Sequence, residues 1–199
     1  MKIRTIESQD AKPKPSSTHF FRDWVVVIAV ALGAALTVRV YVLQQFYISG
    51  PSMQTTLEQD NRVLVDKLSY RFRDIHRGDV VVFDRVTTNG TTVAHDDLIK
   101  RVIAVERDTI QISKCVVLIN GTAIEESYLN KDDLASPVLG DRCRVVDMPK
   151  MTVSTGQLFV MGDNRPESFD SRSFGTISEK LIVGRAFAIV WPFQRIRAL

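Results

Sequence analysis

Phe159-Val-Met-Gly-Asp-Asn-Arg-Pro-Glu-Ser-Phe-Asp-Ser-Arg-Ser-Phe174, followed by Gly175, sets Asp163, Asn164, Arg165, Ser168, Asp170, Ser171 and Arg172 directly behind the apolar run Leu158 to Met161. A strand that runs into a dense polar turn is how a rigid sheet holds reactive side chains at its edge. The same Gly, Asp, Asn, Pro and Ser content also suits a solvated hairpin loop. Outward from this stretch, Val63-Leu-Val65, Val80-Val-Val-Phe83, Leu98 to Val105, Thr109-Ile-Gln-Ile112, Val116 to Ile119 and Ile182 to Val190 are β-branched runs parted by polar turns. Such runs predict strands. Asn120-Gly121 before Thr122-Ala-Ile124 predicts a hairpin, and Asn89-Gly90 marks another tight turn. Helical signals are thin here, with Lys67 to Phe72 read as a short turn. The expected fold is mainly β: an antiparallel-sheet domain over 44–199 with a small, variable β-rich insertion at about 111–157.

The N-terminus differs. Residues 1–20 are polar, carry Lys2, Arg4, Lys12 and Lys14, and include Pro13 and Pro15. Too little apolar surface is present to offset ordering entropy, so a disordered tail is expected. From Trp24 to Val38 the chain is uncharged and almost wholly apolar, and residues 21–43 are long enough to cross a bilayer as one helix. Arg39 sits near one end, where its guanidinium reaches the interface, and Trp24 and Tyr41 fall near the boundaries. A removable signal peptide would also show a basic leader, an apolar run and small residues such as Gly33-Ala34-Ala35. Length and the preceding basic residues favour one transmembrane anchor, with the tail cytoplasmic and everything after Gln44 outside.

Composition narrows the function. The 199 residues are 45% apolar and 25% charged with net charge +3, so the chain can bury a real core. No basic stripe interleaved with aromatics is present, which argues against nucleic acid as a partner. There is no Gly-rich phosphate loop and no repeat of solenoid length.

Two upstream segments each carry a weak chemical signature of their own, and a strand lysine would ordinarily snorkel to solvent. Ser49-Gly-Pro-Ser52-Met-Gln-Thr-Thr-Leu57 places a serine in a stiff turn, and Leu98-Ile-Lys100-Arg-Val-Ile-Ala-Val-Glu-Arg-Asp108-Thr-Ile110 places a lysine in an apolar strand. A serine hydroxyl needs a base within hydrogen-bond reach. His19 precedes the apolar segment, and His76 and His95 lie in polar loop sequence, so a lysine is the better candidate. Apolar neighbours disfavour an ammonium and lower its pKa toward the range a general base needs. Strand alternation puts Lys100 and Arg101 on opposite faces.

With Arg77-Gly-Asp-Val-Val-Val-Phe83 between them, these ordered segments resemble the type I signal peptidase family, the membrane-bound serine/lysine proteases that cut secretory signal peptides. The resemblance runs from about Tyr47 to Phe193, with a variable middle. It implies Ser52 as nucleophile and Lys100 as general base. It also implies Ser168 as a hydrogen-bond partner of the Lys100 amine, and Asp170 with Arg172 as a bracing ion pair. Some relatives carry a serine two residues before the nucleophile as an oxyanion donor. Gly50 stands there, leaving the Ser52 backbone N–H, helped by a water or by Ser49. Thr55 stands where proline is usual.

The implied substrates are signal peptides of secreted preproteins with small residues at the first and third positions before the cut. Ile48, Met53, Val82 and Phe83 are candidate pocket walls. A Ser/Lys pair needs no cofactor and no metal. The expected protein is a monomer in the cell membrane, with the lipid bilayer as its other partner. Cys115 and Cys143 could pair or stay as two thiols; sequence leaves both open. A membrane-tethered binding domain and a self-cleaving repressor-type Ser/Lys protease are rival classes. The intact Ser52/Lys100 pair argues against the first, and the lack of a nucleic-acid-binding segment against the second.

Overall fold

Hydrogen bonding of the β-branched runs produces most of this molecule. The computed structural model describes residues 17–89 and 92–199. Helix α1 (Ser17–Tyr41) lies, but for its last residue, in a unit separate from Tyr41–Leu199, which forms a compact unit of its own. The expected disordered tail lies outside the described residues over 1–16, while Ser17–Phe20 already belong to α1. Side chains of residues 21–37 are exposed. Among the described residues, no helix is long and apolar enough to cross a membrane; the side chains of residues 38–41, inside the expected anchor, lie outside the description.

The second unit holds strands β1 (Leu43–Tyr47), β2 (Arg62–Asp66), β3 (Val80–Asn89), β4 (Thr92–Ala104), β5 (Thr109–Ser113), β6 (Val116–Ile119), β7 (Thr122–Ala123), β8 (Met148–Thr152), β9 (Gln157–Met161), β10 (Ile177–Ser178), β11 (Ile182–Trp191) and β12 (Arg197–Ala198). Among the described residues these make an antiparallel eight-stranded sheet, ordered β1-β2-β11-β3-β4-β9-β10 with β12 on β11, and a four-stranded sheet, β7-β6-β5-β8. Short helices α2 (Ser69–Phe72), α3 (Lys131–Ala135), α4 (Leu139–Arg142) and α5 (Ser171–Phe174) interrupt the loops.

β3 shows why the main sheet is covered on both faces. Val80 and Val82 pack with Ile48, Met53, Leu57, Val63 and Ile189, whereas Val81 and Phe83 pack with Val102, Leu158 and Val160. A strand apolar on both faces lacks the alternation of a half-solvated one. The small sheet closes a third core, in which Ile110, Ile112 and Val117 meet Ile103 and Phe159 of the main sheet.

The Asn120-Gly121 turn has positive φ at both residues, 54° and 84°, as a two-residue hairpin turn of this twist requires. β3 and β4 pair out to Asn89↔Thr92, several residues further than the apolar runs indicated. Pro149 explains why β8 was not read as a strand, and β8 occupies a sheet edge where a missing N–H is tolerated. Cys115 and Cys143 form a disulfide, tying the β5–β6 turn to the end of α4.

Candidate active site

The end of β9 makes the site. β9 pairs with β4 only as far as Arg101↔Met161, so β4 loses its neighbour at Lys100 and the polar turn after Met161 fills the place. Gly162 begins that turn because nothing larger fits: a Cβ there would lie 2.3 Å from the Ser52 carbonyl oxygen and 2.3 Å from Ser168 Oγ. The Asn164 N–H donates to the same Ser52 oxygen at 3.1 Å, and Asn164 Nδ2 donates to the Pro51 oxygen at 3.1 Å. The short 3-10 turn Pro51–Met53 is thereby fastened to the polar stretch from two sides.

Lys100 is 3% exposed. Its Nζ lies 2.7 Å from Ser52 Oγ and donates to the Ile99 oxygen at 2.9 Å. Burial pushes the amine from 10.5 down to about 8, with Arg172 acting in the same direction while Asp170 and Asp163 resist. A lysine with a pKa of about 8 is partly neutral at mildly alkaline pH, and its neutral form can turn a lone pair toward the serine hydroxyl. That pairing can activate an oxygen nucleophile without a histidine. His76 and His95 are exposed, and His95 is engaged with Asp84 at 2.7 Å.

Around this pair the charges are matched. Arg172 grips Asp170 at 2.8 and 2.7 Å, both side chains almost fully buried. Desolvation alone would raise the Asp170 carboxyl; the Arg172 guanidinium and the Gly162 N–H more than offset it and hold the pKa below the usual range. Arg101, on the other face of β4, forks onto Asp163 at 2.9 and 2.6 Å.

Two expectations need correction. Ser168 is fully buried, yet its hydroxyl reaches no hydrogen-bond partner. It therefore makes no hydrogen bond to the Lys100 amine. The β4 edge before Arg101 lacks a ladder partner, and the Ile99 carbonyl takes the amine instead. Phe83 cannot share a pocket wall with Val82. Ile48, Met53 and Val82 are buried together in one core, while Phe83 faces the opposite core, because successive strand side chains alternate. Ser49 is exposed.

Sequence reading missed the contribution of Glu126 and Tyr128. Glu126 pairs with Arg165, and the Tyr128 ring lies 4.0 Å from the Arg101 guanidinium. An arginine inside an apolar strand, next to Lys100, was the available signal.

The family model described as signal peptidase, peptidase S26, matches residues 21–191. The "Probable signal peptidase I-2" of Synechocystis sp. is 30% identical over 98% of this chain and 83% of its own length. The "Signal peptidase I" of Bacillus caldolyticus is 34% identical over 87% of this chain and 92% of its own. The "Signal peptidase IB" of Staphylococcus aureus is 33% identical, with 88% and 92% covered.

Proposed function

The chain belongs to the signal peptidase family, peptidase S26, and is a serine peptidase of the signal peptidase I kind; on that premise we propose that it frees exported preproteins from their signal peptides through Ser52 and Lys100. The observation that carries this reading is the 2.7 Å contact between a buried amine of depressed pKa and the Ser52 hydroxyl. Neutral Lys100 takes the hydroxyl proton as Ser52 Oγ attacks the scissile carbonyl. The protonated amine then gives a proton to the leaving nitrogen of the mature chain, and a second round with water releases the acyl group from Ser52. The Ser52 N–H is positioned as one donor to the oxyanion. Asp170 and Arg172 brace the turn from behind, as positioning residues, Asp170 also accepting from the Gly162 N–H.

Residues 44–199 act outside the cell membrane as a monomeric catalytic domain. Residues 21–43 form its single anchor, and 1–20 remain cytoplasmic. Support for the anchor comes from the exposed apolar side chains between Phe21 and Thr37 and the basic residues before them. Ile48, Met53 and Val82, buried together in one core, would back the pockets for the substrate's small residues rather than line them.

The test uses the full chain in detergent with a preprotein ending its signal in Ala-x-Ala. Ser52→Ala and Lys100→Ala should each stop cleavage while remaining folded, and the double variant should be no worse. Substantial turnover by either single variant would sink the assignment.

A further inference from the structure

We infer that Tyr128, carried by the β-rich insertion, is a positioning residue for the serine–lysine pair: its ring fixes the two arginines that hold the Gly162–Asp163 turn beneath Ser52. The inference rests on the Ser52/Lys100 reading above and extends it to a residue outside the main sheet.

The geometry starts at the ring. Arg101 lies with its guanidinium carbon 4.0 Å from the Tyr128 centroid, and that of Arg165 is 6.0 Å away. Arg101 spends its edges on Asp163 and, through Nη1 at 2.9 Å, on the Gly78 oxygen. Only its flat faces remain, and an aromatic ring is the side chain that covers a guanidinium face without competing for its hydrogens. Arg165 donates from Nε to the Gly162 oxygen at 3.1 Å and pairs with Glu126, which also accepts from Tyr128 Oη at 2.8 Å. One ring therefore lies against both cations that reach adjacent residues of the turn.

That turn is in contact with the reacting serine. Asp163 accepts from Thr56 Oγ1 at 2.5 Å, Asn164 N–H holds the Ser52 oxygen, and Gly162 leaves no slack against it. A second link runs through backbone, since Thr55 Oγ1 donates to the Tyr128 oxygen at 3.0 Å. Arg101, Arg165 and Asp163 are 8%, 4% and 2% exposed, so water cannot replace the lost contacts cheaply. The insertion thus supplies one wall of the catalytic scaffold. Displacements of about 1 Å at such a scaffold cost on the order of 100-fold in rate.

The pH profile provides a readout that a merely structural ring would not move. The charges acting on Lys100 are Asp170, Asp163 and Arg172. Loosening Arg101 leaves the Asp163 carboxylate less neutralised, which favours the Lys100 ammonium and moves the acid limb of activity upward in pH.

The experiment compares wild type, Tyr128→Leu, Tyr128→Phe and Ser52→Ala as full chains in detergent. Tyr128→Leu should lower kcat about 10- to 100-fold with KM nearly unchanged, and move the acid limb up by roughly half a unit. Tyr128→Phe, which keeps the ring, should stay within about threefold of wild type. A folded Tyr128→Leu with wild-type kcat and acid limb, beside an inactive Ser52→Ala, overturns the inference and leaves the dyad standing. A rise in KM alone also overturns it, since the ring would then be touching substrate. If Tyr128→Leu does not fold, Tyr128→Met decides: it fills the site without a flat aromatic face and leaves the Arg101 hydrogen bonds to Asp163 and Gly78 available. The same kcat-selective loss supports the inference, and wild-type kcat overturns it. An active Ser52→Ala overturns the underlying reading instead.

Discussion

Lys100 and Arg101 are consecutive cations, both buried, on opposite faces of one strand, and their surroundings diverge completely. Arg101 has a carboxylate across two hydrogen bonds, a backbone oxygen and an aromatic ring on its face. Lys100 has a hydroxyl and one backbone oxygen, with its nearest carboxylates acting only at a distance. A guanidinium keeps its proton under any such conditions, whereas an ammonium gives way when desolvated. Arg101 is therefore locked into a structural ion pair, and Lys100 holds its proton less tightly than usual, with a pKa of about 8. The identity of the partner, more than burial, separates scaffold from reactive site.

The comparison breaks most visibly if the loosely held charge is made permanent. Lys100→Arg should lower kcat/KM about a thousandfold or more in a peptide-cleavage assay, since no base remains, while the melting temperature stays close to wild type. Comparable activity in the arginine variant would show that deprotonation at position 100 is not required.

Removing a permanent countercharge should act on stability instead. Asp170→Asn leaves the Arg172 guanidinium buried without its partner, at about 3–5 kcal/mol, read as a melting temperature roughly 10 °C lower. An unchanged melting curve would mean that this pair contributes little to the fold.

Lys100→Met should do the reverse. The folded pKa of about 8 lies below the ordinary 10.5, so the unfolded chain binds more protons between those values. Stability then rises with pH across that window, and the charged amine is a burden below it. The methionine variant should be more stable than wild type at pH 7 by about 2–3 kcal/mol, the gap closing between pH 8 and 10.5. A gap independent of pH in chemical denaturation would contradict the account.

The smallest effect sharpens the two faces of β3. Phe83→Leu should cost about 1 kcal/mol and leave the Ala-x-Ala preference intact. Met53→Ala, on the face shared with Val82, removes a fully buried side chain; it should cost about 2–5 kcal/mol and, by loosening the core that backs the pockets, let bulkier residues through at the position before the cut. A change of preference in the Phe83 variant would return that ring to the pocket.

How much of this was legible depends on whether the signal was local. β-Branched runs and the Asn120-Gly121 turn reported their own backbone preferences, and strands formed there. Ser52 and Lys100 stood out because a serine in a stiff turn and a lysine in an apolar strand are locally odd, and family resemblance put them in order. β8 was hidden by Pro149. The short helices over 131–142 carry too few residues for periodicity to show. Tyr128 and Glu126 were invisible for a different reason: their role lies in contacts with Arg101 and Arg165, across long sequence separations that no spacing rule reaches. The orphaned Ser168 hydroxyl and the choice of Ile99 as the second partner of Lys100 follow from where β9 stops, a property of pairing rather than of any one segment.

The most direct test of the central claim is the pH dependence of kcat/KM for the full chain, measured beside the His76→Ala/His95→Ala double variant. That ratio reports the free enzyme's essential base. The account predicts activity rising toward alkaline pH with a half-point near the Lys100 value of about 8, the same in both proteins. A half-point near about 6.5, the ordinary histidine value, that disappears in the double variant would contradict it.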